Sequence, residues 1–540
     1  MKVNKCFSFI ICISILFIFL SISSSARVGP TYAIVNCKII PVSAPEIPKG
    51  VIIIRDGLIE SLGPSEVISI PEDAEVIEAE GLTAYPGLID AHTSLFIELP
   101  KKETVQTTGS PLISQEKESG RYPDVMVFKV LKPKKSKIES FHKIGVTTVL
   151  VAQEKGIYTG QSVLLNLNGD EKEKMVIKNP FALHISFSTA KGVYPASVMG
   201  TMALLRQSFL DAEHYNTYKS FFIKAGKGIK RPEYNPFLEA LVPFTQDKKP
   251  IVFNCKNQED IKRALGLIKE FKLNALLSGA NEAWRVAEYL KKAEIPLLVS
   301  LDFKPPYSSI YVNQGEELKK KAEKEIYPAN ASNLHKSGVK FALTSYGLTT
   351  ADKFLGNIQN ALKAGLPKEE ALKALTIHPA QYLGVGNLIG SLEPGKIANV
   401  ILVSGEIFED KSRVEKVFVD GVLFKMKKPP QKAKAAALNI AGKWTGTVSG
   451  PMGELETTVE FEQEGNKIIG TISSNFGIWE ITEGILSGEE LDFTFIAKIM
   501  DETVEMTFSG KVEKDLIEGT VDFPGGSAEL QLKKAPENSF

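Results

Sequence analysis

From Thr31 to Glu80, apolar and polar residues alternate in period two, in runs such as VIIIRDGLIESLG and AEVIEAEG with Gly57 and Gly63 at turns. That pattern predicts short antiparallel strands. It returns at Gly390–Phe424, in GSLEPGKIANVILVSG and VEKVFVDGVLF. Two such pieces around a long stretch of different character predict one small β-sandwich assembled from residues 27–82 and 390–424. Between them, over residues 83–389, apolar strand-like runs alternate with helical stretches. The runs are Thr147–Ala152, Phe181–Phe187, Pro250–Asn254, Asn274–Ser278, Pro296–Asp302 and Val339–Ser345. The helices are expected at Gly200–Tyr218, Asn257–Phe271, Asn281–Lys292, Glu316–Gly338 and Lys368–Thr376. Such alternation places the region in the α/β class with a parallel sheet, and at roughly 250 residues or more a closed (β/α)8 barrel of TIM type is the usual arrangement. An open doubly wound sheet is the alternative, but no Gly-rich phosphate loop is present and the flanking β pieces would be unexplained.

The pattern changes again past residue 424. Residues 425–440 are rich in Lys, Pro and Ala and form a linker. In residues 441–534, Leu455, Thr457, Val459 and Phe461 face one way while Glu456, Thr458, Glu460 and Glu462 face the other. Leu491, Phe493, Phe495 and then Val504, Met506, Phe508 repeat the alternation. A set of about eight strands beginning at WTGTVSG predicts an antiparallel closed barrel of lipocalin-like type, with an interior filled by its own side chains rather than by a ligand.

Composition adds limits. At 540 residues the chain is long enough for two or three domains, and 43% hydrophobic with 24% charged residues is ordinary for a globular protein. Zero net charge argues against nucleic acid as a partner. The tail, residues 441–534, holds 7 Lys, no Arg and 18 acidic residues, a charge of −11 that the rest of the chain balances. At the N-terminus, Lys2 and Lys5 precede an apolar run from Cys6 to Leu20, then SISSSA ending at Ala26. A basic start, a short apolar run and small residues at Ser24 and Ala26 predict a secretory signal peptide over residues 1–26. The expected location is therefore exported, periplasmic or secreted, with no membrane association after cleavage. Cys37 and Cys255 then remain, and the expectation for them is two unpaired buried thiols.

The chemistry begins at YPGLIDAHTSL, Tyr85–Leu95. This run resembles the first-strand signature of the amidohydrolase superfamily, Pro-Gly-hydrophobic-Ile-Asp followed by His-x-His, in which residues i and i+2 of a strand direct both imidazoles to one metal. The resemblance extends over Tyr32–Phe424, about three-quarters of the chain, and includes the flanking β halves, as in imidazolonepropionase and its relatives. It implies descent from hydrolases of C–N bonds in cyclic amides or peptide-like substrates. It also implies a divalent metal held by His-x-His on the first strand, Lys or Glu on the fourth, His on the fifth and sixth, and Asp on the eighth.

Against that ligand set, His92 is present but Ser94 stands at the second position. His184 falls near the fourth-strand position, Asn254 takes the fifth-strand histidine's place, Ser278 the sixth's, and Tyr346 the eighth-strand Asp's. Asn and Ser are weak neutral ligands, and a tyrosine binds metal well only as a phenolate, with a pKa near ~10. Without the Asp, nothing at that position accepts a proton from water near neutral pH. Catalytic residues are therefore none; His92 and His184 are vestigial metal candidates, and Ser94, Asn254, Ser278 and Tyr346 line the pocket. Asp302 either lines the mouth or caps a turn, His378 is structural, His142, His214 and His335 have no partner nearby in sequence, and Gly160 in YTGQSVLLNL marks a tight turn.

These residues lead to an exported pseudo-hydrolase that binds a small-molecule or peptide-like ligand, or forms a homo- or hetero-oligomer with an active paralogue, and that has no cofactor. The alternative is a working C–N hydrolase with zinc or another divalent metal on His92 and His184. A third places the function in the acidic tail barrel, as a carrier or docking module.

Overall fold

The computed structural model describes residues 30–97, 120–169, 171–190, 192–306, 309–426, 438–450, 453–499, 502–523 and 526–535. The expected signal peptide and most of the linker lie outside them. The chain divides into two compact units at Met426/Lys427.

In the first unit the two β pieces meet in one eight-stranded sheet. Its order runs Val422–Lys425, Arg413–Val419, Val400–Ser404, Leu82–Pro86, Thr31–Ile39, Ile47–Arg55 and Leu58–Pro64, with Ala74–Glu78 also paired to Thr31–Ile39. The joint between chain ends is the antiparallel pairing of Leu82–Pro86 with Val400–Ser404, Tyr85 opposite Ile401. Alternation puts Ile34, Ile52, Ile54, Leu402 and Phe418 into one buried cluster on a single face.

The middle of this unit holds two groups of parallel strands. Leu183–Ser186, Ile251–Cys255, Ala275–Gly279, Leu297–Ser300 and Ala342–Thr344 pair in that order, and Leu88–Thr93 pairs with Val146–Val151. Buried on both faces, they read as the continuous apolar runs the sequence shows. Helices follow the later strands, among them Gln258–Phe271, capped by the Asn257 side chain, and Ala351–Lys363, capped by Thr350. The regular strand-helix alternation fails at one place. Tyr158–Gln161 and Val163–Asn166 run antiparallel to their neighbours Leu183–Ser186 and Val146–Val151. Only a short loop separates Val151 from Tyr158, and a parallel return needs a crossover of about a dozen residues, so the chain can only double back.

The first and last strands of the set are neighbours. The Asp90 carboxylate on Leu88–Thr93 accepts hydrogen bonds from the Ser345 backbone N–H at 3.0 Å and the Ser345 hydroxyl at 2.5 Å. A polar seam ties the strand bundle to the composite sheet: Asn166 donates to Asp420 at 2.6 Å, and Asn399 donates to Asn166 at 3.0 Å.

The second unit is a closed antiparallel barrel of eight strands, from Gly442–Gly450 to Gly526–Lys534, whose first and last strands pair. Trp444, Phe461, Phe493 and Phe508 are buried inside it, Phe493 and Phe508 stacked with centroids 4.7 Å apart. Gly510 and Gly519 face each other across two strands, and the Phe508 ring covers both: a Cβ on either would lie within 2.7 Å of its Cζ. Both cysteines of the described residues, Cys37 and Cys255, are free and buried, as expected. Among the described residues no helix is long and apolar enough to cross a membrane.

Candidate functional site

Parallel register brings the strand ends together. Asn254 lies opposite Ser278, and Ser186 lies opposite Asn254, so the fourth, fifth and sixth strands present His184, Asn254 and Ser278 toward His92 on the first. His92 and His184 are fully buried, with ring centroids 4.8 Å apart in edge geometry. His92 Nδ1 and Ser278 Oγ form a hydrogen bond of 2.6 Å. Tyr346 closes the group by stacking on His92, centroids 4.3 Å apart and planes 24° from parallel. Beside it, Gly279 has a left-handed backbone (φ +85°), and a Cβ there would lie 2.6 Å from the Cys255 carbonyl oxygen but only in ordinary contact, 3.5 Å, with Tyr346 Cε1.

Within this cluster His92 Nε2, both ring nitrogens of His184 and both amide atoms of Asn254 are buried without a hydrogen-bond partner. Asn254 is close enough to His184 to favour its cation slightly, but without hydrogen-bond geometry. Burial dominates: it pushes the His184 imidazole down to about 3, and burial followed by the neighbouring His184 holds His92 well below the usual histidine value. Burial thus favours the neutral form of both rings. Burial also raises the Tyr346 phenol, further from a phenolate than a free tyrosine.

A metal fits this set poorly. Zinc takes three or four protein ligands, and two imidazoles without a carboxylate or thiolate fall short of that. Among the described residues no group of three His, Cys, Asp or Glu side chains converges.

Of the residues singled out in sequence, the structure gathers His92, His184, Asn254, Ser278 and Tyr346. Ser94 lies beyond the end of its strand and donates to the exposed Glu154 at 2.5 Å. Asp302 lines a separate cleft and is raised chiefly by burial. His142 Nε2 bonds the Leu167 carbonyl at 2.8 Å and His378 Nδ1 the Phe341 carbonyl at 2.9 Å, both structural contacts. His335 faces Glu370 at 3.8 Å, and His214 stacks over Tyr218. Gly160, expected in a tight turn, instead lies within the strand Tyr158–Gln161 opposite His184; its φ of +100° and the Val125 carbonyl oxygen, 2.6 Å from where a Cβ would be, explain the glycine. Sequence reasoning passed over Asp90, although it stands inside the quoted motif. It is wholly buried, and burial lifts its carboxyl to about 7 despite the bonds from Ser345 and the His92 backbone. Glu154 carried no sequence signal.

Comparison with known proteins gives a consistent picture of the first unit. A family model described as the amidohydrolase family matches residues 246–424. A crystal structure of an amidohydrolase from Thermotoga maritima is 26% identical, with a TM-score of 0.62, over 73% of this chain and 100% of its own. Short segments also match curated proteins. Adenine deaminase 2 of Bradyrhizobium diazoefficiens is 38% identical over 66 residues, 12% of this chain and 10% of that protein. A 5-methylthioadenosine/S-adenosylhomocysteine deaminase of Moorella thermoacetica is 43% identical over 59 residues, 11% of this chain and 14% of that protein. The chain thus spans only about a tenth to a seventh of the length of these curated relatives in the matched region.

Proposed function

We propose that this protein of the amidohydrolase superfamily is a catalytically impaired hydrolase, exported after removal of residues 1–26, whose strand-end cluster of His92, His184, Asn254, Ser278 and Tyr346 binds rather than cleaves. One observation carries the proposal: a neutral tyrosine, Tyr346, stacks on His92 where a hydrolase of this kind needs an ionised carboxylate. Hydrolysis of a C–N bond needs a base for water and an electrophile for the departing nitrogen's carbon. A buried phenol supplies neither, and two imidazoles kept neutral by burial are weak bases. What the buried cluster offers instead is five unpartnered donors and acceptors on His92, His184 and Asn254, which can be met by the polar groups of a small-molecule or peptide-like ligand. Partnership with a catalytically competent paralogue is the corresponding role if no ligand enters.

The test is turnover of the purified full chain on adenine and on cyclic amides, with and without added zinc; none is expected. Metal-dependent release of ammonia or ring opening would overturn the proposal. A second reading, a hydrolase with a metal on His92 and His184, rests on their free nitrogens and the 4.8 Å between their rings. Elemental analysis separates the two: less than ~0.1 divalent metal per chain ends the second reading, and near-stoichiometric metal ends the first.

A further inference from the structure

A cleft of about 410 Å³ is lined by Asp302 and Gly347, by Lys324, and by Lys353, Asn357 and Asn360 of the helix Ala351–Lys363. Its volume lies in the range of sites for small ligands. Three lysines, Lys304, Lys324 and Lys353, are among its lining residues. None of the three is in an ion pair among the described residues; Lys353 reaches only the Thr349 hydroxyl, at 3.1 Å. Lysines nearby on the same unit are instead matched, Lys368 to Glu406 and Glu409 and Lys373 to Glu369. The lining holds two acids, Asp302 and Glu323, against the three lysines; burial raises the Asp302 carboxyl above its usual range, while the neighbouring Lys304 acts to lower it. Phe303 and Leu348 give the same cleft an apolar wall, and Asn360 adds an amide.

The construction is specific. Lys324 and Glu323 stand on a single π-helical turn, Ala322–Ile326, a distortion frequent at functional sites because it re-aims side chains. Gly347 has φ +85°, and a Cβ there would lie 3.0 Å from Asp302 Oδ2, so the lining of the cleft excludes any side chain at that position. The helix beginning at Ala351 adds its partial positive charge on the side that supplies Thr349 and Lys353.

We propose that this cleft is a binding site for a small molecule with an apolar body and one anionic head, a carboxylate or a phosphate. The head is held by Lys304, Lys324 and Lys353, and the body lies on Phe303 and Leu348. None of His92, His184, Asn254, Ser278 and Tyr346 lines this cleft, and the proposal is independent of whether that cluster retains any chemistry.

Isothermal titration of the full chain with benzoate and with phenyl phosphate tests the proposal. Saturable binding of at least one is expected, weakened by salt and weakened about tenfold or more in the double variant Lys304→Met/Lys353→Met, the loss of two charge-assisted contacts. Lys291→Met, on an exposed helix away from the cleft, should bind as the parent does. Thermal unfolding of each variant confirms that it is folded before titration. Preference for benzoate identifies a carboxylate head and preference for phenyl phosphate a phosphate head; both sustain the proposal. No binding of either probe below about 10 mM, or equal binding by parent and double variant, overturns it.

Discussion

The Ser278 hydroxyl meets His92 Nδ1 at 2.6 Å in a place water does not reach. Ser278→Ala would leave that nitrogen as buried and unpaired as Nε2 already is, so a loss of about 1–3 kcal/mol is expected in urea unfolding. A loss below a few tenths would mean that the bond is not formed in solution. Asp90 gives a second prediction, with a definite sign. Its folded pKa of about 7 exceeds the ~3.9 of an unfolded Asp, so between those values the folded protein holds the extra proton. Asp90 therefore contributes stability below pH ~4 that is lost as pH rises toward 7, at most about 4 kcal/mol. Asp90→Asn, which keeps the shape and one acceptor for Ser345, should flatten the fall in stability between about pH 4 and 7; an unchanged slope would count against a carboxyl held protonated by burial. At this scale His92, Asn254, Ser278 and Tyr346 were legible, because each occupies a fixed place in a strand motif. The role of Asp90 was not, because its partner Ser345 lies 255 residues further along the chain.

Strands were more legible than helices. Each of the six apolar runs marked in the body is a strand within one to three residues of its expected ends, because burial on both faces leaves an unbroken apolar signature. Helix Val198–Ala225 outruns its expected span, fixed by the Ser197 cap at one end and left-handed Gly226 at the other. The single helix expected over Glu316–Gly338 is broken into Glu316–Lys321, the π turn and Asn330–Lys336. Helix Pro236–Thr245 escaped notice, as Pro243 inside it reads as a breaker. The antiparallel third position was hidden for another reason: alternation reports strands, not direction. In the tail barrel the facing pair Gly510 and Gly519 under Phe508 makes a sharp prediction. A Cβ on Gly510 would lie 2.3 Å from the Glu518 carbonyl oxygen, so Gly510→Val should destabilise the tail barrel by about 1–3 kcal/mol or more, read as a lowered unfolding transition of the tail; an unchanged transition would contradict the close approach at Gly510.

For the molecule as a whole, a donor set that does not suit a metal implies indifference to chelators. Incubation with EDTA should leave the unfolding temperature of the first unit within about 1 °C, whereas a structural or tightly bound catalytic ion would lower it by several degrees.

The pairing of Leu82–Pro86 with Val400–Ser404 also sets an order of events during synthesis. At about 5–20 residues per second, the early strand waits on the order of 15–60 s for its mate to leave the ribosome. Throughout that interval Ile34, Ile52 and Ile54 have no finished layer to cover them. A nascent chain arrested before residue 400 should therefore remain bound to holdase chaperones, and the first unit can complete itself only at the very end of its own translation.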